Sequence, residues 1–429
     1  MRAQVPEALP GQWVVAVWFA LFWFLSVALV KWEFGLPLRT LVLVAGLGWL
    51  MFSYRIELQW CVRHNPFFPA LCGFGLLGTL TSAWSGVSLP LTGLMLVKWA
   101  IQPGLILLFT MLSCRVLGAH RVLLLVLSGV VISAVVAILQ GLDVQAAWDL
   151  KYKLEQLQGL DRSLVISAEQ SSEFGRFSDR FRARGLSYSP IHLGYQVTLV
   201  FALLYYAWQT RRRALWPLSP PVTFALVGVL LAAVVFSGTR SSLFGLLLII
   251  PVHMLLFSRY RFASLLLVAT GLLLAPALFY TLSELFQLRI FSTSDSSFAA
   301  RLPLTLLGLK LVMVNPLGYG WLVEASDLAQ QFWHTLYQLD NAEVVVHRGI
   351  HNHAVKLLFV YGVPGLVLML WLLRRMAQQY GGALLVGLSA YFFHALFHND
   401  GIFLGGNYIW LFLGLVHYHW LSHGGVHGR

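Results

Sequence analysis

The chain has 429 residues, of which 58% are hydrophobic and only 11% charged, with a mean hydropathy of +0.74 and a formal net charge of +12. Soluble domains are nearer half apolar and a quarter charged, so this composition excludes a soluble enzyme, a disulfide scaffold and a disordered chain. The basic residues are scattered between apolar runs rather than clustered, so they do not point to nucleic acid; continuous Leu-rich runs argue against a membrane β-barrel.

One bilayer crossing takes about 20 apolar residues. Twelve segments qualify in chain order, near 13–30, 36–53, 67–83, 89–113, 121–139, 190–209, 219–237, 241–257, 262–283, 353–373, 381–397 and 402–420. The short links then alternate in charge. Arg55 and Arg63, Arg115 and Arg121, Arg211 to Arg213, Arg259 and Arg261, and Arg374 and Arg375 all fall on one side. The positive-inside rule makes that side the cytoplasm, and Arg2 and Arg429 place both termini there as well. The expected fold class is therefore all-α, a single polytopic membrane domain over 1–429 with about twelve spans. Cys61, Cys72 and Cys114 fall outside the extracytoplasmic loops, so no disulfide is expected.

Two links, 140–189 and 284–352, are too long to be simple connectors, and both fall on the extracytoplasmic, periplasmic side. They hold thirteen of the seventeen acidic residues and carry Trp, Phe, Tyr and Leu throughout, which predicts packed loops with short interfacial helices. Leu150, Leu154 and Leu157 share one helical face, and Pro303 to Val314 is apolar but too short to span. Asn315-Pro316-Leu317-Gly318-Tyr319-Gly320 reads as a turn.

Candidate chemistry gathers at helix starts. Phe181 to Pro190 leads into the sixth span, Ser237-Gly238-Thr239-Arg240-Ser241-Ser242 into the eighth, and His351-Asn352-His353 into the tenth; Ser297 to Pro303 opens the short apolar helix. On this topology these starts lie at the extracytoplasmic surface. Unpaired N–H groups and the positive helix end, joined by Arg184, Arg240 and Arg301, make the footprint of a diphosphate site. Each Arg taken singly reads equally well as structural, for example Arg184 pairing with Asp179. His394 and His398, four apart, read as structural rather than metal-binding, since only Asp400 joins them.

Taken together, Arg182-Ala183-Arg184-Gly185-Leu186-Ser187-Tyr188-Ser189-Pro190, Ser237 to Ser242, Arg301 with Asn315 to Gly320, and His351 to His353 with Tyr361-Gly362-Val363-Pro364-Gly365 resemble the O-antigen ligase/polymerase superfamily. Within it they are most similar to the lipopolysaccharide O-antigen ligases (WaaL type). The resemblance covers about residues 180–370. It implies an inner-membrane glycosyltransferase with a periplasmic active site, moving O-antigen polysaccharide from undecaprenyl diphosphate to a sugar of lipid A–core. By the same resemblance Arg240 and Arg301 fall on the family's Arg positions and His351 on its His, with Arg184 on the basic position before the sixth span. His353 and Asn352 are secondary candidates, and the twin His leaves the base open between His351 and His353.

The chemistry of such a transfer is consistent with these residue types. Two or three Arg can neutralise a leaving diphosphate, and a His can accept the proton of the attacking hydroxyl. The expectation is a direct, inverting displacement with no covalent intermediate. No Asp-x-Asp cluster lies at these helix starts, so neither a metal nor another cofactor is expected. Trp321, Phe332, Trp333 and Tyr337 are candidates to stack on sugars, with loop packing the simpler reading for at least half of them. Expected partners are the lipid-linked O-antigen, the lipid A–core acceptor and membrane lipids. The alternatives are an O-antigen polymerase, a protein oligosaccharyltransferase or, in a different class, a transporter of a lipid-linked or anionic substrate.

Overall fold

Without water in the bilayer core, a spanning backbone must satisfy its own N–H and C=O groups, and long Leu/Val runs do so as α-helices. The computed structural model describes residues 11–28, 38–156, 182–210, 215–216, 218–257, 259, 262–263, 266, 270, 301–339 and 342–423. Among these residues the secondary structure is helical and no strand forms, so the chain is an all-α polytopic membrane protein.

The helices are α1 Gln12–Ala28, α2 Leu38–Ser53, α3 Arg55–Arg63, α4 Phe68–Trp84, α5 Leu89–Leu96, α6 Gln102–Leu117, α7 Ala119–Gly141 and α8 Gln145–Gln156, then α9 Pro190–Gln209, α10 Pro220–Ser237 and α11 Arg240–Phe257. After these come α12 Arg301–Val314, α13 His353–Tyr380, α14 Gly382–Ala395 and α15 Tyr408–Ser422. A π turn at Val97–Ile101 joins α5 to α6 as one run. Among the described residues six helices are long and apolar enough to cross a membrane, and a seventh crossing results if α2 and α3, bent by 110°, act together. Three apolar helices are shorter: α1, α4 and α14. Eleven of the twelve expected segments fall on these helices; the segment at 262–283 lies almost wholly outside the described residues. The short helices expected around Leu150 and after Pro303 are α8 and α12, with Leu157 outside the described residues.

The largest departure from the sequence reading is a break inside α13. Gly362 adopts φ 66°, ψ −168°, just before Pro364, so the helical ladder is interrupted within an apolar span. The turn after α12 supplies the missing partners. Tyr319 N donates to Phe359 O at 2.8 Å, Gly320 N to Val360 O at 3.0 Å, and Val363 N to Pro316 O at 2.8 Å. Backbone lies on backbone here: a Cβ on Gly362 would meet Leu317 C at 2.3 Å, and one on Gly318 would meet Gly362 N at 2.6 Å. Trp321 follows the turn into the bundle, donating Nε1 to the Tyr361 hydroxyl at 2.9 Å and pressing on Gly78, where a Cβ would come within 2.1 Å. The Asn-Pro-Leu-Gly-Tyr-Gly and Tyr-Gly-Val-Pro-Gly motifs are thus two halves of one interlock.

The site is placed by α14, which packs along both α9 and α11 and also meets α13. α12 packs on α13. The starts of α9, α11, α12 and α13 therefore gather around the end of α14 and the segment 396–407 that follows it.

Candidate active site at the helix heads

The segment before α9 is clamped from beneath. Gln140 Oε1, at the end of α7, accepts from Arg184 N at 3.0 Å and Gly185 N at 2.9 Å; Ser133 Oγ accepts from Leu186 N at 3.1 Å. Gly185 has φ 59°, and a Cβ there would lie 2.1 Å from Ser133 O, so the approach requires glycine. Lys151 of α8, fully buried, donates to Leu186 O at 2.9 Å. Ser189 caps α9 and Pro190 opens it, the preferred chemistry for a helix start. Arg184 is buried in this segment at 7% exposure. Arg182 reaches across to the carbonyl end of α10, donating Nε to Ser237 O at 2.9 Å and a terminal nitrogen to Gly238 O at 3.3 Å. A cation there complements the negative helix end and holds the Ser-Gly-Thr-Arg turn against α9.

That turn starts α11 with Arg240, half-buried, followed by Ser241 and Ser242, both buried. Ser241 Oγ lies 2.8 Å from His394 Nδ1 and 3.1 Å from His398 Nε2, and Ser242 Oγ lies 3.2 Å from His394 Nδ1. His394 Nε2 bonds Ile191 O, in the first turn of α9, at 3.0 Å. At the start of α12 the Arg301 guanidinium sits 5.3 Å from the centre of the Phe397 ring, a cation–π contact.

The twin histidines are separated by the helix start between them. Asn352 is the N-cap of α13, its Oδ1 accepting from Val355 N at 3.1 Å. His351, just outside the helix, bonds Gly349 O through Nδ1 at 2.7 Å. A carbonyl can only accept, so Nδ1 carries the proton and Nε2 of the neutral ring holds a lone pair. Burial lowers the His351 pKa from its usual 6.5, the Gly349 bond pulls it back up, and Arg301, Arg348 and Lys356 lower it further. His353, one step into the helix, is 5% exposed and packed against Gly401, where a Cβ would lie 2.5 Å from the ring; neither ring nitrogen has a hydrogen-bond partner among the described residues.

The structure thus brings Arg301 within electrostatic reach of both His351 and His398. His398, outside the spans, has its pKa held well below 6.5 by burial first, then by His394, Arg301, Arg182 and His351. Arg240 directly precedes Ser241, which bonds His394 at that end; the backbone of Arg184 is held elsewhere, by Gln140 at the end of α7. Sequence reading missed the clamps, Gln140, Lys151 and Arg182, and the part played by His394 and His398. It also missed the pairing of Asp400 with His192, Oδ2 3.9 Å from Nε2, and Tyr195, whose hydroxyl donates to Asp400 O at 2.6 Å. The only signal for the histidine pair was its i, i+4 spacing; its partners lie about 150 residues away. Among the described residues no group of three or more His, Cys, Asp or Glu side chains is placed to hold a metal ion.

Of the four aromatics considered for sugars, Trp321 is 4% exposed and belongs to the interlock. Phe332 is half-buried beneath Lys310, whereas Trp333 and Tyr337 are exposed at 39% and 55%.

Residues 224–370 match the family model described as O-antigen ligase, roughly a third of the chain. The match includes Arg240, Arg301 and His351 to His353, begins after Arg184 and ends before His394. No curated protein matches the chain.

Proposed function

We propose that this chain, whose residues 224–370 match the O-antigen ligase family, transfers polysaccharide from undecaprenyl diphosphate to a sugar of lipid A–core at the periplasmic face of the bacterial inner membrane. The observation that carries this reading is a His351 whose Nδ1 is held by Gly349 O, leaving Nε2 free of the proton, within electrostatic reach of Arg301 at a gathering of helix starts.

His351 Nε2 accepts the proton of the acceptor hydroxyl as that oxygen attacks the anomeric carbon of the donor. The bond from that carbon to the phosphate oxygen breaks, and the configuration inverts. The undecaprenyl diphosphate leaves with the bonding pair, and Arg301, Arg240 and Arg184 at three helix starts stabilise its growing charge. Such an arrangement needs no metal. Asn352 acts through the helix start that fixes His351, and buried His353 is a packing residue rather than the base. Trp333 and Tyr337, both exposed, stack on the polysaccharide in this reading.

The test is transfer in vitro with purified protein, undecaprenyl diphosphate-linked O-antigen and rough lipopolysaccharide, with a chelator present. Polysaccharide on the lipid A–core is the expected product. Elongation of the lipid-linked glycan with a bare core would replace the ligase by a polymerase, and rescue by magnesium alone would overturn the Arg-only treatment of the leaving group.

A further inference from the structure

Three helix starts from distant parts of the sequence meet at one place, and the end of α14 is what they have in common. His394 bonds the first turn of α9 through Ile191 O and the first turn of α11 through Ser241. His398, one turn later, bonds Ser241 again, and the adjacent Phe397 ring carries the Arg301 guanidinium. Both histidines are buried, at 0% and 5% exposure, and both lie beyond the segment that matches the family model.

The hydrogen bonds fix a direction. Ile191 O can only accept, so His394 Nε2 carries its proton and Nδ1 must accept. Ser241, the nearer hydroxyl at 2.8 Å, donates to that Nδ1. Its oxygen is then an acceptor for His398 Nε2–H at 3.1 Å. The bonds linking His398, Ser241, His394 and Ile191 are all made in this arrangement, with both rings neutral. Ser242, at 3.2 Å from the same Nδ1, is the weaker competitor. A buried polar chain of this kind specifies geometry, because a displaced member leaves an unpaired group in a dry setting.

We propose that His394, Ser241 and His398 form a positioning network that sets Arg240, one residue before Ser241, and Arg301, on Phe397, at the spacing the donor diphosphate requires. The inference rests on the transferase reading above and extends it to residues that touch neither substrate. The network acts on donor engagement: misplaced arginines hold the diphosphate less well, while His351 and its Gly349 bond are untouched.

The experiment compares Ser241→Ala, His398→Ala and their double variant in full-length protein in nanodiscs, with Arg301→Ala and His351→Ala as references. Binding of undecaprenyl diphosphate and the KM for the lipid-linked donor are both read. Each single variant is expected to weaken donor binding about tenfold, as for a buried hydrogen bond left unmade. The double variant should be little worse than either single, since both break one chain. His398→Gln retains an N–H donor near the Nε2 position and should restore binding, which a merely volume-filling role would not require. The KM for the acceptor should stay unchanged. If Ser241→Ala and His398→Ala bind and turn over donor like the unaltered protein while Arg301→Ala and His351→Ala fail, the positioning network is wrong and the transferase reading stands. If Arg301→Ala and His351→Ala are both fully active, that reading itself has failed. Ser241→Ala removes one oxygen only and decides the matter where His398→Ala does not fold.

Discussion

Two regions of this molecule carry the motifs singled out in the sequence, and they are built in opposite ways. The interlock between the turn 315–320 and the break in α13 is backbone against backbone, with Gly318 and Gly362 at positive φ and carbonyls in contact distance. The helix-head site is held by side chains, with Arg, His, Gln and Ser reaching other side chains or the backbone of neighbouring elements. A recurring motif is therefore no guide to chemistry on its own. In one region the fixed residues let a broken helix exist inside a bilayer; in the other we propose that they face a reaction. The two should fail differently when altered.

The largest effect is expected in the interlock. Gly362→Ala places a Cβ 2.3 Å from Leu317 C at a left-handed backbone position, and should cost at least about 4 kcal/mol, enough to remove folded protein from a size-exclusion profile. A monodisperse, normally melting variant would show that the turn yields and the comparison is overdrawn. His351→Ala should slow turnover by about 10²- to 10⁴-fold, the usual contribution of a general base, without lowering the melting temperature. His353→Leu sharpens that result: removing an imidazole with no partner among the described residues for either nitrogen should be near neutral for stability and leave turnover within a few-fold. A reversal of the two histidine results would move the base to His353. Arg240→Ala should lose about 2.7–4 kcal/mol of barrier lowering, as for a lost oxyanion donor, measured as kcat/KM for the lipid-linked donor.

The smallest effect is in pH. The His351 pKa lies below the ordinary 6.5, so the acid limb of kcat/KM should fall with a midpoint below about 6.5. The sign for stability is the same. The fold favours the neutral ring, so its contribution is whole above 6.5 and is lost as the pH drops through that value towards the lowered one. An acid limb centred at or above 6.5 would contradict the electrostatic description of His351.

Much of the fold was legible because membrane physics writes it coarsely. Continuous apolar runs long enough to span have one backbone solution, so eleven of the expected segments lie on helices. What a hydropathy pattern cannot express is where a span is broken. Tyr361-Gly362-Val363-Pro364 is apolar throughout and reads as ordinary span, while its partner turn lies some forty residues earlier. The site was legible where a charge stands at a helix start, as with Arg240, Arg301 and His351. It was illegible where the work is done by groups that meet only in three dimensions. Gln140 supports Arg184 from 44 residues away, and His398 reaches Ser241 across 157. Trp321 illustrates the converse: an aromatic in a large polar loop invites a sugar, yet a glycine at position 78 makes room for it inside the bundle.

The central claim is that the helix-head cluster serves the reaction and not the fold, and Arg301→Ala tests it most directly. Turnover of the lipid-linked donor and melting temperature should be measured on the same preparation. The account predicts at least about a hundredfold loss of turnover with an unchanged melting temperature. Unchanged turnover, or a loss of turnover explained entirely by a loss of folded protein, would contradict it.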